Sequence, residues 1–266
     1  YHNTGQDIYI EQAERILQKN MPGEEVDALV DPMLQEVLGE TVYDQVLSHQ
    51  SNHGIIIGEG VTDDYARVIW RRKSVGSLAK KLQRNGIGQI PADIIGATVV
   101  LPTLDMMSKR FATMLSAIHT SPNLSLTPSP SREQAIHVRG SSDYIEALRI
   151  ACDYTSREDM EQFVDVKDAA SGEFHVAKAT FTYAAPNGGA LRTEIQFNTE
   201  QDRIDARIGS AAHIAYKYAK TGQSIDVEIL KRIRARKDDM SRQILISPSH
   251  ERAQHLLQVI DATQYA

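Results

Sequence analysis

Arg71-Arg72-Lys73-Ser74-Val75-Gly76-Ser77-Leu78-Ala79-Lys80-Lys81-Leu82-Gln83-Arg84 is a strongly basic run, and Asp93-Ile94-Ile95-Gly96-Ala97-Thr98-Val99-Val100-Leu101-Pro102 follows it. Together they predict a helix leading into a buried strand. In an extended lead-in, Arg71 and Lys73 point to the same side. In a helix over 74–84, Ser77 and Lys81 lie one turn apart on one face, with Lys80 and Arg84 alongside. Ile94 to Leu101 is apolar and β-rich, and Pro102 ends it. The basic run can bring several cations and a hydroxyl onto one polyphosphate, arginine as a planar fork of donors and lysine as a compact charge. The competing reading is a solvated basic helix face, which is what most charge runs are. No Walker-type glycine loop is present, and Gly86-Ile87-Gly88 is too short a signal to use.

Working outward, the chain alternates helical and extended patterns. Ile10, Ala13, Ile16 and Leu17 repeat at helical spacing until Met21-Pro22-Gly23 breaks it. A second helix is expected over 24–47, with Val26, Leu29, Val30, Met33, Leu34 and Val37 on its apolar side. These two read as a helical cap packed on a core. Helix resumes over 103–119, the Pro- and Ser-rich stretch 121–132 reads as a loop, and 144–154 is helical. Strands are expected over 163–166, 174–183 and 191–199, the last two joined through Pro186-Asn187-Gly188-Gly189, a hairpin signal. Helices over 201–220, 224–242 and 248–263 complete a mixed α/β order. The expected division is a helical region over 1–60, a core over 61–222 and C-terminal helices over 223–266.

Bulk properties bound the class. The chain has 266 residues, 41% hydrophobic and 24% charged, which suits a globular protein with a substantial core. Its net charge of -6 argues against general nucleic-acid binding while leaving room for a local basic patch. The single cysteine, Cys152, permits no internal disulfide and suits a reducing compartment. No apolar run approaches the roughly 20 residues that span a bilayer, and no signal peptide is visible. A cytoplasmic site of action is therefore expected. The chain begins at Tyr1 rather than Met, which suits a piece of a larger protein.

Two carboxylates stand beside the basic run in this reading. Asp93 lies just before a buried strand, where an acidic group needs a reason such as a metal ion. Glu194 lies in Arg192-Thr193-Glu194-Ile195-Gln196-Phe197-Asn198-Thr199, whose alternation puts Arg192, Glu194, Gln196 and Asn198 on one face and Leu191, Ile195 and Phe197 on the other. That polar face could simply be wet. If the two strands are neighbours, Asp93 and Glu194 could share a Mg²⁺ on a nucleotide's phosphates. With the basic run they supply cations, metal ligands and a base, the parts that phosphoryl-type transfer requires.

These residues resemble the RelA/SpoT-like alarmone synthetase family, whose members move pyrophosphate from ATP to the 3′-hydroxyl of a guanine nucleotide. The family's Arg-x-Lys-x-x-x-Ser-x-x-x-Lys spacing is carried by Arg71, Lys73, Ser77 and Lys81. Its Asp-x-x-Gly motif is carried by Asp93 and Gly96, its Glu-x-Gln motif by Glu194 and Gln196, and its Ala-Ala-His-Trp-x-Tyr-Lys block reads Ala211-Ala212-His213-Ile214-Ala215-Tyr216-Lys217. The resemblance runs from about Arg71 to Lys217. It implies a mixed five-stranded sheet flanked by helices, of the nucleotidyltransferase-like kind. It also implies Mg²⁺ held by Asp93 and Glu194, ATP phosphates held by the basic set, and Glu194 as the base.

The departures fall on the acceptor side. The family's Asp-x-x-Gly-x-Arg ends in Thr98, and Glu-x-Gln-x-Arg-Thr has Asn198 for arginine. The region around Lys167-Asp168 is shortened, so the base-stacking tyrosine falls on Glu173 and the histidine on Ala177. Phe174 is one residue away and could stack instead, unless it is an ordinary core residue. His213 and Tyr216 lie on a small-residue stripe, where packing serves as well as chemistry. Gln196, Phe174 and His213 are the candidate acceptor contacts. No His-Asp dipeptide occurs, so the hydrolase domain of long family members is not expected.

Three readings follow. The first is a Mg²⁺-dependent ATP pyrophosphokinase acting on an acceptor other than GDP or GTP, such as an adenine nucleotide or an RNA 3′ end. The acidic net charge weighs against RNA. The second is a decayed synthetase that binds a nucleotide and signals through a partner. The third is the toxic domain of a larger secreted or toxin–antitoxin protein.

Overall fold

A computed structural model describes residues 4–20, 25–38, 46–47, 54–57, 67–128, 134–153, 164–168, 175–186 and 188–208. Its helices begin where side chains satisfy the free N–H groups of the first turn. Helix α1 spans Thr4–Asn20 and α2 spans Glu25–Leu38. Helix α3 (Val75–Asn85) is capped by Ser74, whose hydroxyl accepts from the Ser77 N–H at 3.3 Å. It stops at Gly86, where φ is 102° and the N–H donates to the Leu82 carbonyl at 2.8 Å, a left-handed turn that glycine adopts without a Cβ penalty. Thr103 caps α4 (Leu104–Thr120) and Ser141 caps α5 (Ser142–Ala151) in the same manner. Helix α6 (Glu200–Ile208) opens on a reciprocal box. There the Asp202 N–H donates to Thr199 Oγ1 at 3.1 Å, and the Thr199 N–H donates to Asp202 Oδ2 at 3.2 Å.

Among the described residues, nine strands form one mixed sheet: β1 (Val46–Leu47), β2 (Gly54–Ile57), β3 (Arg67–Arg72), β4 (Ile95–Leu101), β5 (Leu124–Leu126), β6 (Ile136–Gly140), β7 (Val164–Asp168), β8 (Val176–Ala184) and β9 (Ala190–Thr199). They run in the order β1-β2-β3-β4-β9-β8-β6-β7, with β5 also on β8. The pairs β4–β9 and β6–β7 are parallel and the others antiparallel. The expected mixed α/β class with a helix-flanked sheet is therefore present. The strands expected over 94–101, 163–166, 174–183 and 191–199 are β4, β7, β8 and β9, and the sheet is wider than the five strands the resemblance implies.

The additions correct three local expectations. The helix predicted over 24–47 ends at Leu38, and Val46–Leu47 pairs with Ile55–Ile56 of β2. The loop predicted over 121–132 contains β5, whose Leu124–Leu126 pairs with Phe181–Tyr183. Strands β2, β3 and β6 had no element assigned to them. All are short, so few positions exist in which a period of two could show.

One face of the sheet is the core. Ile95, Ala97 and Val99 of β4, Thr193, Ile195 and Phe197 of β9, Ala177, Ala179 and Phe181 of β8, and Ile136 and Val138 of β6 are all buried. Phe111 of α4 meets Phe197 edge-on, with centroids 5.4 Å apart and planes at 78°, the arrangement aromatic quadrupoles favour. From α2, Met33 Sδ accepts from the Thr193 hydroxyl at 3.2 Å. Helices α2 and α4 thus cover this face. Truncating Phe197 to alanine would cost about 3–5 kcal/mol. Helix α5 packs equally tightly on β6: a Cβ at Gly140 would lie 2.4 Å from Cδ1 of Tyr144. The opposite face carries the polar residues of β4, β8 and β9, and it is the one that matters for chemistry. Among the described residues, no helix is long and apolar enough to cross a membrane.

Candidate active site

The basic cluster is built at the junction of β3, α3 and β4. The Lys73 N–H donates to the Ile94 carbonyl at 2.9 Å, which extends the β3–β4 ladder one step past the strand end. That bond sets the Lys73 side chain beside Asp93. Lys73 Nζ lies 2.7 Å from Asp93 Oδ2, and Lys81 Nζ, from α3, lies 2.6 Å from Asp93 Oδ1. Both carboxylate oxygens therefore have a lysine, one from each side of the Ser74 cap. Burial alone would push the Asp93 carboxyl up, but Lys73 and Lys81 outweigh it and hold it at about 2. The Lys73 ammonium is pushed down from its usual value. Burial is the main cause, opposed by Asp93 and reinforced by the nearby charges of Lys81 and Arg71. This is a crowded cluster of cations with too few anions, an environment that favours a polyphosphate.

Arg71 joins it through the sheet register. Arg71 pairs with Gly96, and Gly96 pairs in turn with Glu194. A Cβ at Gly96 would sit 3.7 Å from Arg71 Nε and 3.8 Å from its Cγ, so the arginine stem lies across β4 where other residues would carry a side chain. The first turn of α3 faces solvent. Ser77 is exposed there, its hydroxyl accepting from Ser74 Oγ at 3.0 Å. Lys80 and Arg84 are placed differently from the rest: both are exposed, and Arg84 Nε donates to Asn85 Oδ1 at 3.2 Å. The helix turns Lys81 toward Asp93 and leaves these two outside the cluster.

The second carboxylate comes from the neighbouring strand. β4 and β9 are adjacent and parallel, as sharing a cation between Asp93 and Glu194 would require. Glu194 Oε2 accepts from Lys178 Nζ at 2.9 Å, and Oε1 accepts from Gln196 Nε2 at 2.7 Å. Burial pushes the Glu194 carboxyl up and so does the charge of Asp93, yet Lys178 and Gln196 bring it below its ordinary value. No group of three or more His, Cys, Asp or Glu side chains is poised as a metal cage among the described residues. Asp93 and Glu194 are of the type Mg²⁺ takes, one or two protein carboxylates with water and phosphate oxygens filling the rest, and their four oxygens are engaged here by Lys73, Lys81, Lys178 and Gln196.

Lys178 is the candidate site residue that sequence reasoning missed. Its signal was a lone charge in Val176-Ala177-Lys178-Ala179, where alternation sends it to the opposite face from the buried alanines. Its place opposite Gln196 and beside Glu194 depends on the β8–β9 register. The same register continues to β6, where His137 pairs with Lys178 and Arg139 follows on the same face.

The acceptor-side departures have mixed outcomes. Asn198, at the position of a family arginine, is buried and donates through Nδ2 to the His175 carbonyl at 3.0 Å, a structural bond. His175 in turn stacks on Tyr144 with centroids 4.9 Å apart and contacts Asp202 Oδ1 through Nδ1 at 3.0 Å. Thr98 is half-buried and pairs with Gln196. Phe174 and His213 lie outside the described residues, as do Glu173, Tyr216 and the C-terminal helices.

Compared with known proteins, the chain matches no family model and no curated sequence. Among solved structures it is similar to the crystal structure of the small alarmone synthetase 2 from Bacillus subtilis, with a TM-score of 0.38 and 11% identity over 97% of this chain and 89% of that one.

Proposed function

We propose that this chain is a Mg²⁺-dependent pyrophosphokinase that transfers the β,γ-diphosphate of ATP to a nucleotide 3′-hydroxyl. The observation that carries the reading is the placement of Asp93 just before β4 and of Glu194 on the adjacent parallel β9, with Lys73 and Lys81 bonded to Asp93 and Arg71 lying across Gly96, the register partner of Glu194. Bound ATP would draw Lys73 and Lys81 onto its phosphates, because a charge-assisted contact to phosphate can replace one to a carboxylate at little cost. Asp93 and Glu194 would then be free to hold Mg²⁺, which when bound supplies charge neutralisation and alignment of the phosphates. Ser77 and the N–H groups opening α3 would cradle the triphosphate. The acceptor oxygen bonds to the β-phosphorus, the bond from that phosphorus to the α,β-bridging oxygen breaks, and AMP leaves. Glu194 takes the hydroxyl proton.

A second reading is favoured by one observation. Lys178 and Gln196 already occupy both oxygens of Glu194, and Asn198 is committed to a backbone carbonyl. Such a site would suit a protein that binds a nucleotide without turning it over. The two readings separate in one experiment. Both require that ATP with Mg²⁺ raise the melting temperature, by the equivalent of about 2.7 kcal/mol at 100-fold excess over the dissociation constant. Only the enzyme releases AMP from ATP when a panel of nucleotide and RNA acceptors is supplied. An unmoved melt rejects both, and a moved melt with no AMP release favours the binding module.

A further inference from the structure

We propose that Lys73, Lys81 and Lys178 hold the two carboxylates closed to metal until a nucleotide's phosphates take the ammonium groups away, so that Mg²⁺ and the nucleotide bind only together. The inference rests on the pyrophosphokinase reading and describes how the Mg–ATP site of that reading is regulated.

The starting point is what holds each carboxylate oxygen. Asp93 Oδ2 accepts from Lys73 Nζ at 2.7 Å, and Oδ1 accepts from Lys81 Nζ at 2.6 Å. Glu194 Oε2 accepts from Lys178 Nζ at 2.9 Å, and Oε1 accepts from Gln196 Nε2 at 2.7 Å. None of the charged groups is freely hydrated. Side-chain exposure is 14% for Lys73, 20% for Lys81 and Asp93, 16% for Lys178 and 19% for Glu194. An exposed ion pair opens readily because water takes both partners. A shielded pair opens at a cost, because each charge left behind is poorly solvated. These ions therefore exchange for other ions and not for water.

Mg²⁺ by itself meets this arrangement as a barrier. To reach Asp93 it must displace two ammonium groups. Arg71, whose stem lies across Gly96, adds a further cation rather than an acceptor for them. The arriving dication would sit among displaced cations, and like charges repel strongly where water is scarce. A nucleotide by itself meets the mirror problem. Its phosphates can take Lys73 and Lys81, whose charges ride on flexible four-carbon stems. Asp93 is then a shielded carboxylate with no counter-ion, facing phosphate oxygens.

The two ligands remove each other's obstacle. Phosphate accepts the ammonium groups, the carboxylates accept Mg²⁺, and every charge keeps a partner. Overall charge agrees. Among the described residues, four cations (Arg71, Lys73, Lys81 and Lys178) stand against Asp93 and Glu194. The net-negative Mg–ATP complex offsets that excess, Mg²⁺ alone would enlarge it and free ATP would overshoot it. No covalent bond changes and no proton moves in the exchange. It is a coupling between two ligands, and linkage makes it reciprocal: the factor that Mg²⁺ adds to nucleotide affinity is the factor the nucleotide adds to Mg²⁺ affinity.

The test is a set of binding measurements on the full chain, without turnover. The nucleotide probe is α,β-methylene-ATP, whose bridging carbon blocks loss of AMP, titrated by calorimetry in EDTA and in excess Mg²⁺. The metal probe is Mn²⁺, a hard cation that takes the same oxygen ligands, followed through the paramagnetic resonance of the free ion. Wild type should bind the nucleotide about 100-fold more tightly with Mg²⁺ than in EDTA, near the upper end of typical couplings. Its Mn²⁺ affinity should be lower by the same factor when nucleotide is left out. Lys81→Met frees Asp93 Oδ1 while keeping an apolar stem. It should gain Mn²⁺ affinity without nucleotide by about tenfold or more, the worth of one charge-assisted contact that no longer has to be displaced. Lys81→Arg keeps a cation on that oxygen and should stay like wild type. Asp93→Asn removes the carboxylate that free nucleotide strands. It should bind α,β-methylene-ATP in EDTA more tightly than wild type and gain little from Mg²⁺. Melting curves show that each variant is folded, and the wild-type comparison decides alone where one is not. Mn²⁺ held by wild type as tightly without nucleotide as with it overturns the exchange, as does equal nucleotide affinity in EDTA and Mg²⁺. An unchanged Mn²⁺ affinity in folded Lys81→Met overturns it as well. Failure of wild type to bind the nucleotide under any condition overturns the pyrophosphokinase reading, and the exchange with it.

Discussion

The two halves of the site are assembled in opposite ways. The basic cluster around Asp93 is local: Lys73, Lys81, Asp93 and the Ser74 cap come from one stretch of chain, and one backbone bond from Lys73 to Ile94 aligns them. The group around Glu194 is distributed: His137, Lys178 and Glu194 come from three strands, and only sheet register brings them together. A locally built cluster survives changes elsewhere, because its geometry is set by a helix cap and a strand end. A register-built one shifts whenever a strand is shortened or a partner replaced. This is where the chain departs from the family it resembles, at Thr98, Asn198 and the shortened stretch after Lys167.

The sharpest way to break the comparison is Glu194→Gln, since Glu194 is the acid of the distributed group. The change keeps size and hydrogen-bonding shape while removing charge and proton acceptor. AMP release with acceptor present should fall about 10²–10⁴-fold. Turnover equal to wild type at matched folding would remove Glu194 from the mechanism.

The basic cluster is tested next by Lys73→Ala and Lys81→Ala. Each charge-assisted contact is worth roughly 1.5–3 kcal/mol, so each variant should bind ATP about 10–100-fold more weakly by calorimetry. Each leaves Asp93 with the other lysine, so the fold should persist. Wild-type affinity in both would show that the basic run is only a solvated face.

Acid sensitivity follows from the same ion pairs. The Asp93 carboxyl is held at about 2, against an ordinary value of 3.8. Its folded value lies below its unfolded one, so its stabilisation is present above the ordinary value and is lost as pH falls toward the folded value. The loss amounts to roughly 2 kcal/mol by linkage. Glu194 is also held low and adds in the same direction. Urea midpoints from pH 6 to pH 2 should therefore decline, and Asp93→Asn should flatten that decline. An unchanged slope would mean that the lysines do not hold Asp93 in solution.

The smallest effect is expected from Arg84→Ala. Its side chain is exposed and bonded to Asn85 rather than facing Asp93. Loss of an exposed charge changes little, so ATP affinity should weaken less than about threefold. A loss matching that of Lys73→Ala would extend the donor site along α3.

Sequence alone determined what is set within a few residues. The turn of helix that sets Ser77 and Lys81 on one face, the buried strand after Asp93 and the hairpin through Gly188 were all legible, because helical spacing and turn chemistry are short-range. Alternation in β9 separated Glu194 and Gln196 from Ile195 and Phe197 correctly. Only the tertiary structure decided the rest. The short strands β5 and β6 take their form from distant partners, so no local period marks them. That Lys81 would turn to Asp93 while Lys80 and Arg84 would not depends on where α3 lies against β4. Asn198 became a structural residue through the carbonyl of His175. Lys178 reached Glu194 because β8 lies antiparallel to β9 in one register, and hydrogen bonding between strands, unlike helix spacing, is not written in the order of neighbouring residues.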